Sequence, residues 1–261
     1  MMTLLALSAV EGLLAALLAG DPVKTEWTVD GVAREGLVCA PAKESADGPP
    51  LVFGFHGHGG SMQNAARSFR LHELWPEAVV VYLHGLPTPG RLTDPEGKKA
   101  GWQSQPGDQG DRDLKFFDAV LADLKAKHKV DAKRIYSTGH SNGAAFTYLL
   151  WANRPGVFAA IAPSAAAGAR PQKDTTPCPT LHLAGEKDPL VKFEWQMRAV
   201  AAIKTFNGCE ETGKDWDKGC LLYPSAKDAP VVTYIHPGTH TYPAEGPALI
   251  VKFFKEFARK P

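Results

Sequence analysis

The residues best suited to chemistry lie in Gly139-His140-Ser141-Asn142-Gly143, a G-x-S-x-G pattern. A β-type run, Ile135 to Thr138, stops at it, and a helix-forming run starts from it. A strand-to-helix turn this tight forces the serine into a strained conformation and admits only small residues two positions to either side. The strain lifts the hydroxyl clear of the sheet edge. The amides that open the following helix favour negative charge developing beside it. Ser141 is therefore the expected nucleophile, against the plainer reading of a polar residue in a connection.

A serine hydroxyl needs a base to take its proton, and the base needs an orienting acid. The chain order expected for this elbow is serine, then acid, then histidine. "HLAGEKDPLV" supplies a strand and then Asp188, with Glu186 as a nearby rival; "YIHPGTHTYP" supplies the last strand and then His240. Both residues fall just past a strand's carboxyl end, where they can converge on Ser141. An oxyanion hole would take one backbone N–H from Asn142 and a second from the glycine-rich "FHGHGGS". His58 is the first choice there and Gly59 the next. The side chains of His56 and His58 have no required catalytic task.

These residues need a scaffold, and the chain reads as one. "TEWTVDGVAREGLVCAP" is a hairpin turning at Asp30-Gly31. "LVFGF", "AVVVYL", "RIYSTG", "FAAIAPS", "PTLHLAG" and "VVTYIH" are short apolar runs of the kind buried on both faces of a sheet. Helical stretches lie between them. In one, Leu114, Phe117, Val120, Leu121 and Leu124 share a face. Further helices are read in "AAFTYLLWANR", "FEWQMRAVAAIKTF" and "PALIVKFFKEFARK". The expected fold class is α/β, a mostly parallel central sheet with helices on both faces, and its functional loops gather at the strands' carboxyl ends. The segment from Gly85 to Arg112 fits no regular element and should lie over that edge, with Trp102 and Gln103 as candidates for a substrate wall.

With 261 residues the chain suits one large domain or two small ones, and a single domain is placed here over residues 21–261. Its net charge of +1, with no Lys/Arg run, argues against a nucleic-acid partner. Residues 1–20 are Leu/Ala-rich and read as a signal peptide or an N-terminal apolar segment, although Met1 and Met2 bring no basic residue ahead of the apolar run from Thr3 and Glu11 interrupts it. No other stretch is long and apolar enough to span a bilayer, so no stable membrane insertion is expected. A secreted or periplasmic location follows from the signal-peptide reading. Cys39, Cys178, Cys209 and Cys220 form no C-x-x-C pair. Cys209 and Cys220 flank a polar, turn-rich segment that a disulfide would close in an oxidising compartment; otherwise both are free thiols.

Taken together, "RIYSTGHSNGAAF", "FAAIAPSAA", "FHGHGGS", "GEKDPLV" and "GTHTYP" resemble the polyhydroxybutyrate depolymerase and feruloyl esterase group of α/β-hydrolases, over roughly Leu51 to Pro243. The resemblance implies a serine esterase with Ser141, Asp188 and His240 as triad, acting without metal or cofactor on a small or polymer-linked feruloyl, acetyl or hydroxyalkanoate ester. It also supports a Cys209–Cys220 bridge. The chain departs from the group's habits at Ala144, where a second glycine is common, and at Tyr242-Pro243, where Trp-Pro is common. A peptidase or lipase on the same fold and a non-catalytic carbohydrate-binding relative are the alternatives. A metallohydrolase fits less well. Beyond the "HGH" pair, the positions where a metal-binding pattern needs Asp and His hold Gly60 and Ser61, and Pro237 and Gly238 break the helix that would align His236 with His240. His72, His84, His128, His140 and His182 read as ordinary core or surface residues.

Overall fold

The computed structural model describes residues 20–43, 46–168 and 171–259. The expected N-terminal apolar segment falls almost wholly outside them. Strands β1 (Val23–Val29) and β2 (Val32–Cys39) form the hairpin read from the sequence. Asp30 and Gly31 both take positive φ, 50° and 78°, as a type I′ turn requires. The six apolar runs are β3 (Leu51–Phe55), β4 (Val79–Leu83), β7 (Ile135–His140), β8 (Ala160–Ser164), β9 (Thr180–Gly185) and β12 (Val231–His236). They pair parallel in the order β4-β3-β7-β8-β9-β12, with antiparallel strands at either side.

Every residue of β3, β4, β8 and β9 is buried, because helices cover both sheet faces. Alternate residues feed two cores. Leu51, Phe53 and Phe55 pack with Phe117, Phe146 and Ile203 on one face; Val52, Val80 and Tyr82 pack with Ile250 and Phe254 on the other. The first face is covered by α3 (Arg112–His128), α4 (Asn142–Asn153) and α5 (Phe193–Asn207). The second is covered by α1 (Met62–Phe69), α2 (Leu71–Leu74) and α6 (Gly246–Glu256). The chain steps from β3 outward to β4, then crosses back over β3 to β7. The sheet's switch point, where such folds open a crevice, therefore lies between β3 and β7.

Three features differ from the sequence reading. First, α1 and α2 add two helices to those expected; Ser61 caps α1 by accepting from the Asn64 amide at 3.2 Å. Second, the long loop contains a small ladder, β5 (Leu86–Pro87) with β6 (Ala100–Gly101), and a 3-10 turn at Asp108–Asp111. Third, the segment flanked by Cys209 and Cys220 is not an open loop. It holds β10 (Lys214–Asp217), which pairs with β11 (Cys220–Tyr223) to complete the sheet edge. Cys209 packs against the first core and Cys220 lies in the second, so the sheet separates them and both thiols are free. The expected bridge is corrected accordingly.

Candidate active site

The elbow is built from backbone crowding. A Cβ on Gly139 would strike the Gly143 backbone, and one on Gly143 would strike the carbonyls of Phe55 and His56. Only glycine lets β7, the turn and α4 pass so close to the neighbouring β3. Ser141, between them, sits at φ 55°, ψ −119°, a conformation an L-residue holds only when its surroundings impose it. Its amide donates to the Ser164 carbonyl at 2.8 Å and its carbonyl accepts from Ala145 at 2.9 Å, which fixes both sides of the turn.

The three residues expected to act together do meet. Ser141 Oγ lies 2.8 Å from His240 Nε2, and His240 Nδ1 lies 2.7 Å from Asp188 Oδ2. The carboxylate requires a proton on Nδ1, so Nε2 is the bare nitrogen that accepts the serine hydroxyl. The Asp188 side chain has no exposed surface. Its Oδ1 accepts from the amides of Leu190 and Val191, both at 2.9 Å, and its Oδ2 accepts a second bond from Gln196 Nε2 at 3.1 Å. The rival Glu186 is exposed, and its backbone amide donates to the His236 carbonyl at 2.9 Å.

The glycine-rich loop after β3 faces the same point. The Gly59 amide is engaged by the Ala100 carbonyl at 2.7 Å, which leaves His58 as that loop's candidate donor beside Asn142. The His58 ring anchors the loop by bonding Asp94 at 3.0 Å, and Asp94 also accepts from the Lys99 amide at 2.8 Å. His56 is structural: its ring donates to the Gly57 carbonyl at 2.8 Å and accepts from the Gly85 amide at 3.0 Å. Burial pushes its pKa down to about 4. The "HGH" pair thus has its rings turned to separate partners.

Trp102 and Gln103 are not on the pocket wall, which corrects the substrate-wall expectation. Trp102 has 0% exposure, stacks on Phe146 and meets Phe55 edge-on. Its indole N–H donates to the His56 carbonyl at 2.9 Å, and its backbone exchanges two bonds with the Asn142 side chain, at 2.7 and 3.1 Å. Trp102 therefore ties the elbow to the loop after β3. Gln103 is buried as well; its Oε1 accepts from the Asp113 and Leu114 amides and so holds the start of α3.

A cavity of about 800 Å³ opens over Ser141 and His240. Its wall includes Arg91, Gln105, Tyr148, Leu149, Leu190 and Trp195, none singled out from the sequence. Trp195 reads in the sequence only as part of a helix, and no local pattern marks its side chain as pocket-facing. His140, which reads as ordinary, also lines the cavity. Its ring lies 5.0 Å from that of His240, and burial, reinforced by the neighbouring His240, lowers its pKa to about 4.

No protein-family model matches the chain. Curated relatives do. Esterase NocK of Nocardia uniformis subsp. tsuyamanensis is 31% identical over 59% of this chain and 44% of its own length. A feruloyl esterase C of Aspergillus niger is 26% identical over 89% of this chain and 87% of its own. The chain spans well under two thirds of the length of NocK and of a further feruloyl esterase C that it matches. Among solved structures, the acetyl xylan esterase from Aspergillus awamori superposes with a TM-score of 0.67 at 13% identity, over 89% of this chain and 99% of that one. The fold that they share with this chain is the α/β-hydrolase fold, and the relatives by sequence include the feruloyl esterase group.

Proposed function

We propose that this α/β-hydrolase hydrolyses carboxylic esters through an acyl-enzyme formed on Ser141. The observation that carries the reading is the unbroken line from Ser141 Oγ through His240 to Asp188, at 2.8 and 2.7 Å. His240 Nε2 takes the serine proton as Oγ attacks the ester carbonyl. The oxyanion that forms is held by the amides of Asn142 and His58, each such donor lowering the barrier by roughly 3–4 kcal/mol. Collapse expels the alcohol, protonated by His240, and leaves the acyl group on Oγ. Water, activated by the same imidazole, then releases the acid. Asp188 fixes the tautomer and stabilises the imidazolium while it lasts. None of these steps needs a metal or cofactor.

The substrate we infer is a feruloyl, acetyl or hydroxyalkanoate ester, free or attached to a polymer. The relatives' names support the first two. The cavity supports a compact acyl group: it has apolar surface from Leu149, Leu190 and Trp195, and polar side chains at Arg91 and Gln105. Trp195 takes the aromatic role that the sequence suggests for Trp102. No helix among the described residues is long and apolar enough to cross a membrane. Residues 21–261 act as one catalytic domain, and an exported location rests on residues 1–20 alone, since the free cysteines lend it no support.

A hydrolysis panel tests this reading: 4-nitrophenyl acetate, methyl ferulate, acetylated xylan, polyhydroxybutyrate film and a peptide amide. Turnover of one or more esters, with the amide left intact, is expected. Cleavage of the amide in preference to every ester would make the protein a peptidase.

A further inference from the structure

We propose that Gln196, His182 and Tyr148 form a buried hydrogen-bond chain that positions Asp188 and ties it to the wall of the substrate cavity. The inference rests on the esterase reading above and adds three positioning residues to it. Gln196 and His182 have 0% exposure and Tyr148 has 1%, yet each carries a polar group into the core. Apolar side chains of similar size would fill those positions equally well, so packing alone gives no reason for a glutamine, a histidine and a tyrosine there.

The proton positions along the chain follow from one end. Gln196 Nε2 donates both hydrogens, to Asp188 Oδ2 at 3.1 Å and to the Val191 carbonyl at 2.7 Å. The flipped amide would set Oε1 against two acceptors, so its orientation is fixed. Oε1 then faces His182 Nε2 at 3.4 Å and accepts from it. Nε2 therefore holds the ring's proton, and Nδ1 is left to accept the Tyr148 hydroxyl at 2.6 Å. Burial holds the His182 pKa down to about 4, so the ring stays neutral with that single proton around neutral pH. Every ring nitrogen and amide group in the chain is satisfied with one consistent set of donors.

The chain crosses three elements. Tyr148 is on α4, which begins at the nucleophile, and it lines the cavity; His182 is on β9; Gln196 is in the first part of α5. Asp188 lies in the turn between β9 and α5, where its two backbone donors come from the same short segment. Those donors hold Oδ1. Oδ2 accepts from Gln196 as well as from His240, so Gln196 helps set the direction in which the carboxylate meets the imidazole. Tyr148 carries that constraint to the surface against which the substrate rests.

The test compares the full chain with Gln196→Met, Gln196→Glu and Tyr148→Phe, assayed with 4-nitrophenyl acetate and by the rate of fluorophosphonate labelling, below every variant's melting transition. Methionine keeps the volume and removes the donor; kcat should fall roughly 10–100-fold with KM nearly unchanged. Glutamate keeps the volume but, protonated beside Asp188, offers one hydrogen where the amide offers two, so it should also be slower than wild type. Tyr148→Phe keeps the ring and should lower kcat about 3–10-fold. Labelling should slow in parallel. Wild-type kcat in Gln196→Met and Gln196→Glu, with only the melting temperature lowered, would make the residue packing and overturn the proposal. So would wild-type kcat in Tyr148→Phe beside a slow Gln196→Met, since the chain would then stop short of the cavity. A wild-type chain that neither turns over the ester nor takes the label would overturn the esterase reading itself, and this role with it.

Discussion

Replacing Asp188 by asparagine changes one atom and should cost almost all of the activity. Oδ1 of the aspartate accepts two backbone amides, from Leu190 and Val191, and Oδ2 accepts from His240 Nδ1 and Gln196 Nε2. Asparagine has a single acceptor oxygen. If that oxygen keeps the two amides, its NH₂ faces two donors. His240 can relieve its side of the conflict only by moving its proton from Nδ1 to Nε2. The nitrogen facing Ser141 at 2.8 Å then carries a hydrogen and cannot act as base. A wrong tautomer in such a triad lowers kcat by about 10⁴, or roughly 5.5 kcal/mol of barrier. The geometry should survive, because the amide is nearly isosteric with the carboxylate. Steady-state kinetics on 4-nitrophenyl acetate, with circular dichroism to check the fold, measure both. A folded Asp188→Asn chain within tenfold of wild type would refute the reasoning. An inactive Glu186→Gln chain beside it would show that the exposed neighbour is the acid.

Trp102→Ala should lower stability in denaturant melts by about 3–5 kcal/mol, the usual cost of emptying a buried aromatic site. Trp102→Phe should leave KM for methyl ferulate unchanged; a selective rise would restore Trp102 as a substrate contact. Trp195→Ala should instead raise KM for methyl ferulate more than for 4-nitrophenyl acetate, and equal changes would exclude Trp195 from acyl recognition. His56, His140 and His182 all have folded pKa values lowered to about 4 from 6.5, chiefly by burial. The unfolded chain therefore binds more protons between those values. Stability should be full above pH 6.5 and fall as the pH drops toward 4, by up to about 1.4 kcal/mol per unit for each histidine. Urea midpoints that do not change over this range would contradict that sign. Iodoacetamide added to unfolded, unreduced protein should alkylate all four cysteines; two missing adducts at Cys209 and Cys220 would reinstate the bridge.

The parts of the site that are legible in the sequence are those where backbone geometry restricts residue type. Gly139 and Gly143 are demanded by close backbone approach, and their spacing between a strand run and a helix run announces the turn. Asp30-Gly31 does the same for the first hairpin. Fully apolar runs such as Val79–Leu83 mark the central strands, because both faces of those strands are covered. Side-chain direction in irregular segments is less accessible. A polar loop carrying one tryptophan looks like a rim, but Phe55 and Phe146 leave a slot beneath it that Trp102 fills. Cys209 and Cys220 are near in sequence, yet the strand pairing of Cys220 with Tyr234 sends its side chain to the far face. Helix α1 does carry a signal, though a short one: Met62, Ala65, Ala66 and Phe69 repeat at helical spacing behind a serine cap. Gln196 and His182 carry no signal of their roles, since only tertiary packing brings them to Asp188.

The claim on which everything else depends is that Ser141 is an activated nucleophile. Mass mapping of the chain after treatment with a fluorophosphonate tests it without any assumption about substrate. One adduct on the peptide containing Ser141 is expected, absent from Ser141→Ala and slowed by orders of magnitude in His240→Ala. An unlabelled Ser141 in folded protein, or a Ser141→Ala chain that still hydrolyses the esters wild type accepts, would contradict the account.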